Sequence, residues 1–300
     1  MKNNDLYYNN SILFFDEIKL RSILVNFLNE DIGVGDITSD LLIDDNIHAD
    51  AQIICKNDGE TIVSGLQEAK TIFNICNCDS KLLVNDGDIL KKGTTVMNIA
   101  GPAKSILKAE RTALNLIMHM SGISTKTFQF VKKLGDFSKS VRIASTRKTS
   151  PGLRYFDKKA VILGGGISHR SSLDKMILIK DNHIAIAGSV KNAVNQIKSK
   201  YGTHKKIECE VTDYEGLIDA IHAQADIIML DNFTPEAVQN SLEKITHLGI
   251  RNKITIEVSG GITLDNIYRY ASSMPDVISI GALTHSFQSI DFSLEIQANQ

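Results

Sequence analysis

From residue 141 onward the chain repeats one pattern six times, a short apolar run followed by a stretch with helical periodicity. The runs cover 141–144, 176–179, 207–211, 227–230, 254–258 and 277–280. The helical stretches fall near 153–163, 190–200, 214–223, 235–248, 264–271 and 287–296. Strands that are apolar throughout are buried on both faces, and a helix after each one returns the chain for a parallel neighbour. Crossovers of one hand wind such a sheet toward closure. Six units fall short of the eight in a complete barrel. The fold class is therefore α/β, with an incomplete, open α/β barrel.

The chain upstream has a different character. Residues 12–30 carry an apolar stripe at helical spacing, formed by Ile12, Phe15, Ile18, Leu20, Ile23, Leu24, Phe27 and Leu28. Between 48 and 106, β-type runs at 51–55, 61–63, 81–84 and 95–99 are separated by turn formers such as Asn57-Asp58-Gly59 and Asn85-Asp86-Gly87. A helix is expected at 68–74, and a longer one at 105–134 with an interruption at Ser121-Gly122. These features give a small α+β domain ahead of the barrel.

Composition narrows the function. The 300 residues carry 33 Lys and Arg against 35 Asp and Glu, a net charge of −2, which gives no support for bulk nucleic-acid binding. No apolar run is long enough to cross a membrane. Cys55, Cys76, Cys78 and Cys209 form no C-x-x-C pair and no zinc spacing. Met1–Asp5 has no apolar leader core, so the chain is expected in the cytoplasm.

The predicted strand ends are where the chemistry gathers in such folds. Here they carry Arg147 and Lys148, Lys180 and Asp181, Glu210, Asp231 and Asn232, Ser259-Gly260-Gly261, and Gly281-Ala282. Almost all are ionisable, or are glycines that admit a ligand close to backbone. Clustered guanidinium and ammonium groups suit polyanions, so the substrates are expected to carry carboxylates and phosphates. Ser259-Gly260-Gly261-Ile262-Thr263 reads either as a plain turn or as a phosphate loop opening a helix capped by Thr263. Gly164-Gly165-Gly166 lacks the spacing of a dinucleotide fingerprint and is expected to end a helix and deliver His169 and Arg170. Either residue alone reads as a structural histidine or a surface charge. Glu208 and Glu210 share a strand face, one expected to be functional and the other an ion-pair partner for Lys205 or Lys180. Histidines 48, 119, 204, 222 and 247 have no partner at metal spacing and read as structural or exposed, with His285 left open.

Taken in order, Glu30-Asp31-Ile32-Gly33, Glu110-Arg111-Thr112-Ala113, Thr146-Arg147-Lys148-Thr149, Gly164-Gly165-Gly166 with His169-Arg170, Ile179-Lys180-Asp181-Asn182-His183, Leu230-Asp231-Asn232, Ser259-Gly260-Gly261-Ile262 and Gly281-Ala282-Leu283-Thr284-His285 resemble the quinolinate phosphoribosyltransferase family over nearly the whole chain. The resemblance implies an N-terminal α/β sandwich of residues 1–118, joined by 286–300, and a barrel of 119–285. It implies a head-to-tail homodimer, sometimes assembled further to a hexamer, in which Arg111 serves the neighbour's site. The implied reaction joins quinolinate and phosphoribosyl pyrophosphate, with Mg2+, into nicotinate mononucleotide, pyrophosphate and carbon dioxide. Arg111, Arg147, Lys148, His169, Arg170 and Lys180 would clamp the two ring carboxylates, with Thr146 beside them. Ser259, Gly260, Gly261, Gly281 and Ala282 would hold the 5′-phosphate. Glu210 and Asp231 would meet ribose hydroxyls or pyrophosphate-bound magnesium, and with Lys148 and Lys180 form the catalytic set. Ser145 and Ser168 replace a frequent Asp and Asn, which puts fine orientation in question. A molybdenum-transport-linked relative, a nicotinate phosphoribosyltransferase and a non-catalytic barrel that binds phosphorylated metabolites are the rival readings.

Overall fold

The computed structural model describes residues 16–201 and 206–298. Ile12, Phe15, His204 and Lys205 lie outside them. The chain folds into two compact units. One takes the described parts of Ser11–Phe128, Tyr155–Gly164 and Phe287–Gln300; the other takes Gln129–Arg154 and Gly165–Ser286. Relative to the expected divide after residue 118, the first unit runs further along the long helix and also claims residues 155–164.

The first unit opens with α1 (Glu17–Ile32), started by the Asp16 carboxylate accepting from the Lys19 amide and stopped at Gly33, φ +59°. Leu24 and Leu28 are its buried residues, whereas Ile18 is exposed and leaves the expected stripe. Then come α2 (Ile37–Leu42), β1 (His48–Cys55), β2 (Thr61–Ile62), α3 (Leu66–Ile75), β3 (Asp79–Leu82), β4 (Ile89–Leu90), β5 (Thr95–Pro102) and α4 (Ala103–Leu134). In β1 burial alternates, with Ala49, Ala51, Ile53 and Cys55 facing inward. α4 runs unbroken through Ser121 and Gly122. Those small residues serve close packing: a Cβ at Gly122 would stand 2.4 Å from the Gln288 carbonyl oxygen. Gly122→Ala is accordingly expected to destabilise the fold by about 1–3 kcal/mol, read as a lowered thermal midpoint. An unchanged midpoint would show that this contact yields freely.

The second unit carries β6 (Arg142–Ala144), then β7 (Ile177–Ile179), α6 (Asp181–Ala187), α7 (Val190–Tyr201), β8 (Ile207–Val211), α8 (Tyr214–His222), β9 (Ile227–Asp231), α9 (Pro235–His247), β10 (Thr255–Ser259), α10 (Ile267–Ala271), β11 (Val277–Ser279) and α11 (Ala282–His285). Its six strands are all parallel, in the order β6-β11-β10-β9-β8-β7. Sequential strands are neighbours from β7 to β11, and β6 closes against β11. Among the described residues β6 and β7, the two edge strands, do not pair, so the barrel is open at that seam. A single parallel bridge from Ala144 to Ile167 lies beside that seam, immediately before His169 and Arg170.

Two expected helices behave differently. α5 (Arg154–Leu163, counted after β6) forms where predicted but packs in the first unit, with Phe156 against Phe27 at 5.7 Å and the Ser124 hydroxyl donating to the Ala160 carbonyl at 2.8 Å. Residues 287–296 do not form a helix. β12 (Phe292–Ala298) stands there and pairs antiparallel with β1, completing the sheet order β12-β1-β5-β3. Among the described residues no helix is long and apolar enough to cross a membrane.

Candidate active site

Every predicted site residue except Arg111 lines one cavity of about 570 Å³ in the barrel unit. Arg111 stands exposed on α4 in the first unit. The cavity lies at the carboxyl ends of the strands, because each apolar strand hands over there to a polar loop.

At the end of β6, Thr146, Arg147 and Lys148 leave the sheet in a turn where the Lys148 amide donates to the Thr146 hydroxyl at 3.1 Å. The Thr284 hydroxyl donates to the Lys148 carbonyl at 2.8 Å, tying this loop to the start of α11. The Ser145 hydroxyl donates to the Ser168 carbonyl at 2.8 Å. That bond is what Ser145 contributes: it fastens the strand end to the segment bearing His169 and Arg170.

Arg147 and Arg170 both reach the cavity. The Arg147 Nε is buried and has no hydrogen-bond partner among the described residues. One Arg170 guanidinium nitrogen donates to the Met176 carbonyl at 3.3 Å. Burial, and then the nearby Arg147 charge, lower the Arg170 pKa, while Glu208 and Glu210 act in the opposite sense. Two guanidinium groups crowded together are poorly neutralised until an anion joins them.

Lys180 caps α6 at the end of β7 and its ammonium donates to Glu210 at the end of β8. Glu208, one layer deeper, has no role as an ion-pair partner for Lys180; it is fully buried and faces His169. Glu257 on β10 faces the same ring, at 3.5 Å from Nε2. Burial disfavours a charged imidazole here, but Glu257 and Glu208 outweigh it and raise the His169 pKa. The Arg170 amide lies 2.8 Å from Nδ1, and Nε2 faces the two carboxylates. Both ring nitrogens are thus turned toward protein.

Glu257 was not among the sequence candidates. Its signal was available: it precedes Ser259 by two residues on a strand, as Glu208 precedes Glu210, so each deeper acid shares a face with a strand-end residue. Ser279, whose hydroxyl donates to Glu257, sits two residues before Gly281 in the same way.

The glycine loop at residues 259–263 differs in detail from expectation. Gly260 and Gly261 have φ of +90° and +63°, but no helix begins at Thr263. Instead the Asn266 side chain accepts from the Thr263 amide at 2.8 Å and α10 starts only at Ile267. The glycine turn, rather than a helix end, shapes this wall. Gly260 packs against Asn232, whose amide donates to the Ser259 carbonyl at 2.8 Å and whose side chain donates to Asp231 at 2.8 Å.

Residues 36–121 match the N-terminal domain of quinolinate phosphoribosyl transferase, and residues 123–295 match its C-terminal domain. Among similar proteins is a probable carboxylating nicotinate-nucleotide pyrophosphorylase of Methanocaldococcus jannaschii, 46% identical over 276 residues, covering 91% of this chain and 96% of that one. The corresponding protein of Methanothermobacter thermautotrophicus is 40% identical, covering 93% and 99%. The solved nicotinate-nucleotide pyrophosphorylase of Francisella tularensis superposes with a TM-score of 0.88 at 35% identity, covering 96% of this chain and all of that one. With both domain models matched in order across most of its length, this chain belongs to the quinolinate phosphoribosyltransferase family.

Proposed function

We propose that this enzyme transfers the phosphoribosyl group of phosphoribosyl pyrophosphate to the ring nitrogen of quinolinate and releases carbon dioxide, a step of NAD biosynthesis. The observation that carries the reading is the pair Arg147 and Arg170, crowded in one cavity with Lys148 and Lys180 beside a glycine-lined wall. A doubly ionised pyridine fits such a pair, since charge-assisted contacts are roughly twice as strong as neutral ones.

The C1–O bond of the ribose breaks with its electrons going to pyrophosphate, and the ring nitrogen supplies the pair for the new N–C1 bond. Positive charge develops at C1, and Glu210 and Asp231 stabilise it from the ends of β8 and β9. The alkylated nitrogen is then cationic and stabilises the electron pair left at C2 when carbon dioxide departs, after which a proton takes that place. Transfer therefore precedes decarboxylation. The glycines at 260, 261 and 281 serve the sugar phosphate; positioning and neutralisation suffice without a covalent nucleophile.

Glu210 and Asp231 also present the oxygen donors that magnesium takes. Glu210 is engaged by Lys180 and Asp231 by Asn232, so these carboxylates fit an ion that remains mainly on pyrophosphate and water. Magnesium would supply positive charge to the departing pyrophosphate.

A homodimer with shared sites accompanies this reading. Val34, Ile37, Leu41 and Leu42 are large apolar side chains exposed within one short stretch of the first unit, which is the character of a surface that a second copy covers. Arg111, exposed in that unit, is then available to the partner's cavity. Four free thiols, three of them buried, fit a reducing cytoplasm.

A single-turnover assay with quinolinate, phosphoribosyl pyrophosphate and magnesium tests the reading. One carbon dioxide is expected per nicotinate mononucleotide formed, with no turnover of nicotinate. Turnover of nicotinate alone would assign the non-decarboxylating chemistry, and phosphoribosyl pyrophosphate binding without turnover would assign a sensor.

A further inference from the structure

At the floor of the cavity three buried groups meet: the His169 Nε2 lies 3.4 Å from Glu208 Oε2 and 3.5 Å from Glu257 Oε1. Glu208 is fully buried, and neither of its carboxylate oxygens has a hydrogen-bond partner among the described residues. Packing alone gives no reason for an acid at that position, because a buried carboxylate without hydrogen bonds is unfavourable. What surrounds it is charge: His169, Arg170 and Glu257. Glu257 is steadied by the Ser279 hydroxyl.

The ring between them is held at its other end as well, by the Arg170 amide on Nδ1 at 2.8 Å. His169 has φ +48°, a left-handed backbone that a residue with a β-carbon adopts only when its surroundings impose it. The ring on that turn is anchored at both nitrogens. The next residue is Arg170, so the turn at His169 decides where that side chain leaves the backbone.

We propose that Glu208 and Glu257 are positioning residues for the dicarboxylate clamp: they hold the His169 ring and, through it, aim Arg170 into the cavity. His169 then acts by orientation, and Arg147, Arg170, Lys148 and Lys180 are among the groups that contact the ring carboxylates. The inference rests on the activity proposed above.

Glu208→Gln and Glu257→Gln keep the side-chain shape and remove the charge. Each is expected to raise KM for quinolinate about tenfold, with KM for phosphoribosyl pyrophosphate within twofold and kcat within threefold of the parent. Glu257→Asp, which keeps the charge, is expected to recover part of the loss. On a His169→Ala background the glutamine changes are expected to shift KM for quinolinate by less than twofold, since the route through the ring is gone. A purely structural role would move both KM values together, or give the same loss on either background, and either result overturns the proposal. So would glutamine variants indistinguishable from the parent, or the failure of both the glutamine and the aspartate variants to fold. An inactive parent enzyme would instead remove the activity itself, which the parent control separates from these outcomes.

Discussion

Alanine at Arg147 is expected to lower kcat/KM for quinolinate by about 30- to 1,000-fold, equivalent to about 2–4 kcal/mol of transition-state stabilisation. Arg147 follows β6 in the loop that Thr284 ties down, and its buried Nε has no hydrogen-bond partner among the described residues. In the free enzyme it repels Arg170. The substitution therefore removes an unfavourable like-charge contact from the unliganded fold while removing, on the proposed reading, half of the clamp from the liganded one. The two effects separate experimentally. The thermal midpoint without substrate should stay level or rise, and catalytic efficiency should fall. Lysine at 147 should recover only part of the activity, because a point charge cannot form the paired contacts of a planar guanidinium. Steady-state kinetics within threefold of the parent would take Arg147 out of the clamp.

The strand ends were the most legible part of this chain, and the reason is local. In β8 the apolar run and its terminal acid are set by neighbouring residues, so Ile207–Val211 appears with its expected bounds. Residues 287–296 show the opposite case. Phe287, Ile290 and Leu294 fall at helical spacing, while Phe292, Leu294 and Ile296 alternate as a strand does. Pairing with β1, more than 230 positions earlier, decides between them, and no window of neighbouring residues contains that information. The interruption expected at Ser121-Gly122 failed for a similar reason: the glycine answers to Gln288, not to its own helix. Within the site, an acid inside an apolar strand could be seen at Glu208 and Glu257. That they converge on one histidine requires knowing that β8 and β10 flank β9 in the sheet and that the seam segment returns His169 above them.

Gly260→Ala should be the most damaging small substitution in the glycine-lined wall of the cavity. An added Cβ would lie 2.2 Å from the Asn232 Oδ1 and 2.7 Å from the Asn232 backbone nitrogen. The side-chain oxygen can swing aside, but the backbone nitrogen cannot, because it donates to the Ser259 carbonyl and Asn232 itself has φ +59°. Overpacking adds to the strain of a φ of +90° on a residue with a β-carbon, together about 2–5 kcal/mol. Gly261→Ala supplies the control. That glycine also has positive φ, but nothing lies within 4 Å of its added Cβ, so it should show strain alone, about 1–3 kcal/mol. If the Gly260 turn shapes the sugar-phosphate wall, its alanine variant should raise KM for phosphoribosyl pyrophosphate well above the Gly261 variant, with less change for quinolinate. Asp231 should be disturbed with it, since Asn232 donates to that carboxylate. Matching thermal midpoints and matching KM values in the two variants would show that contact with Asn232 does not set the shape of this wall.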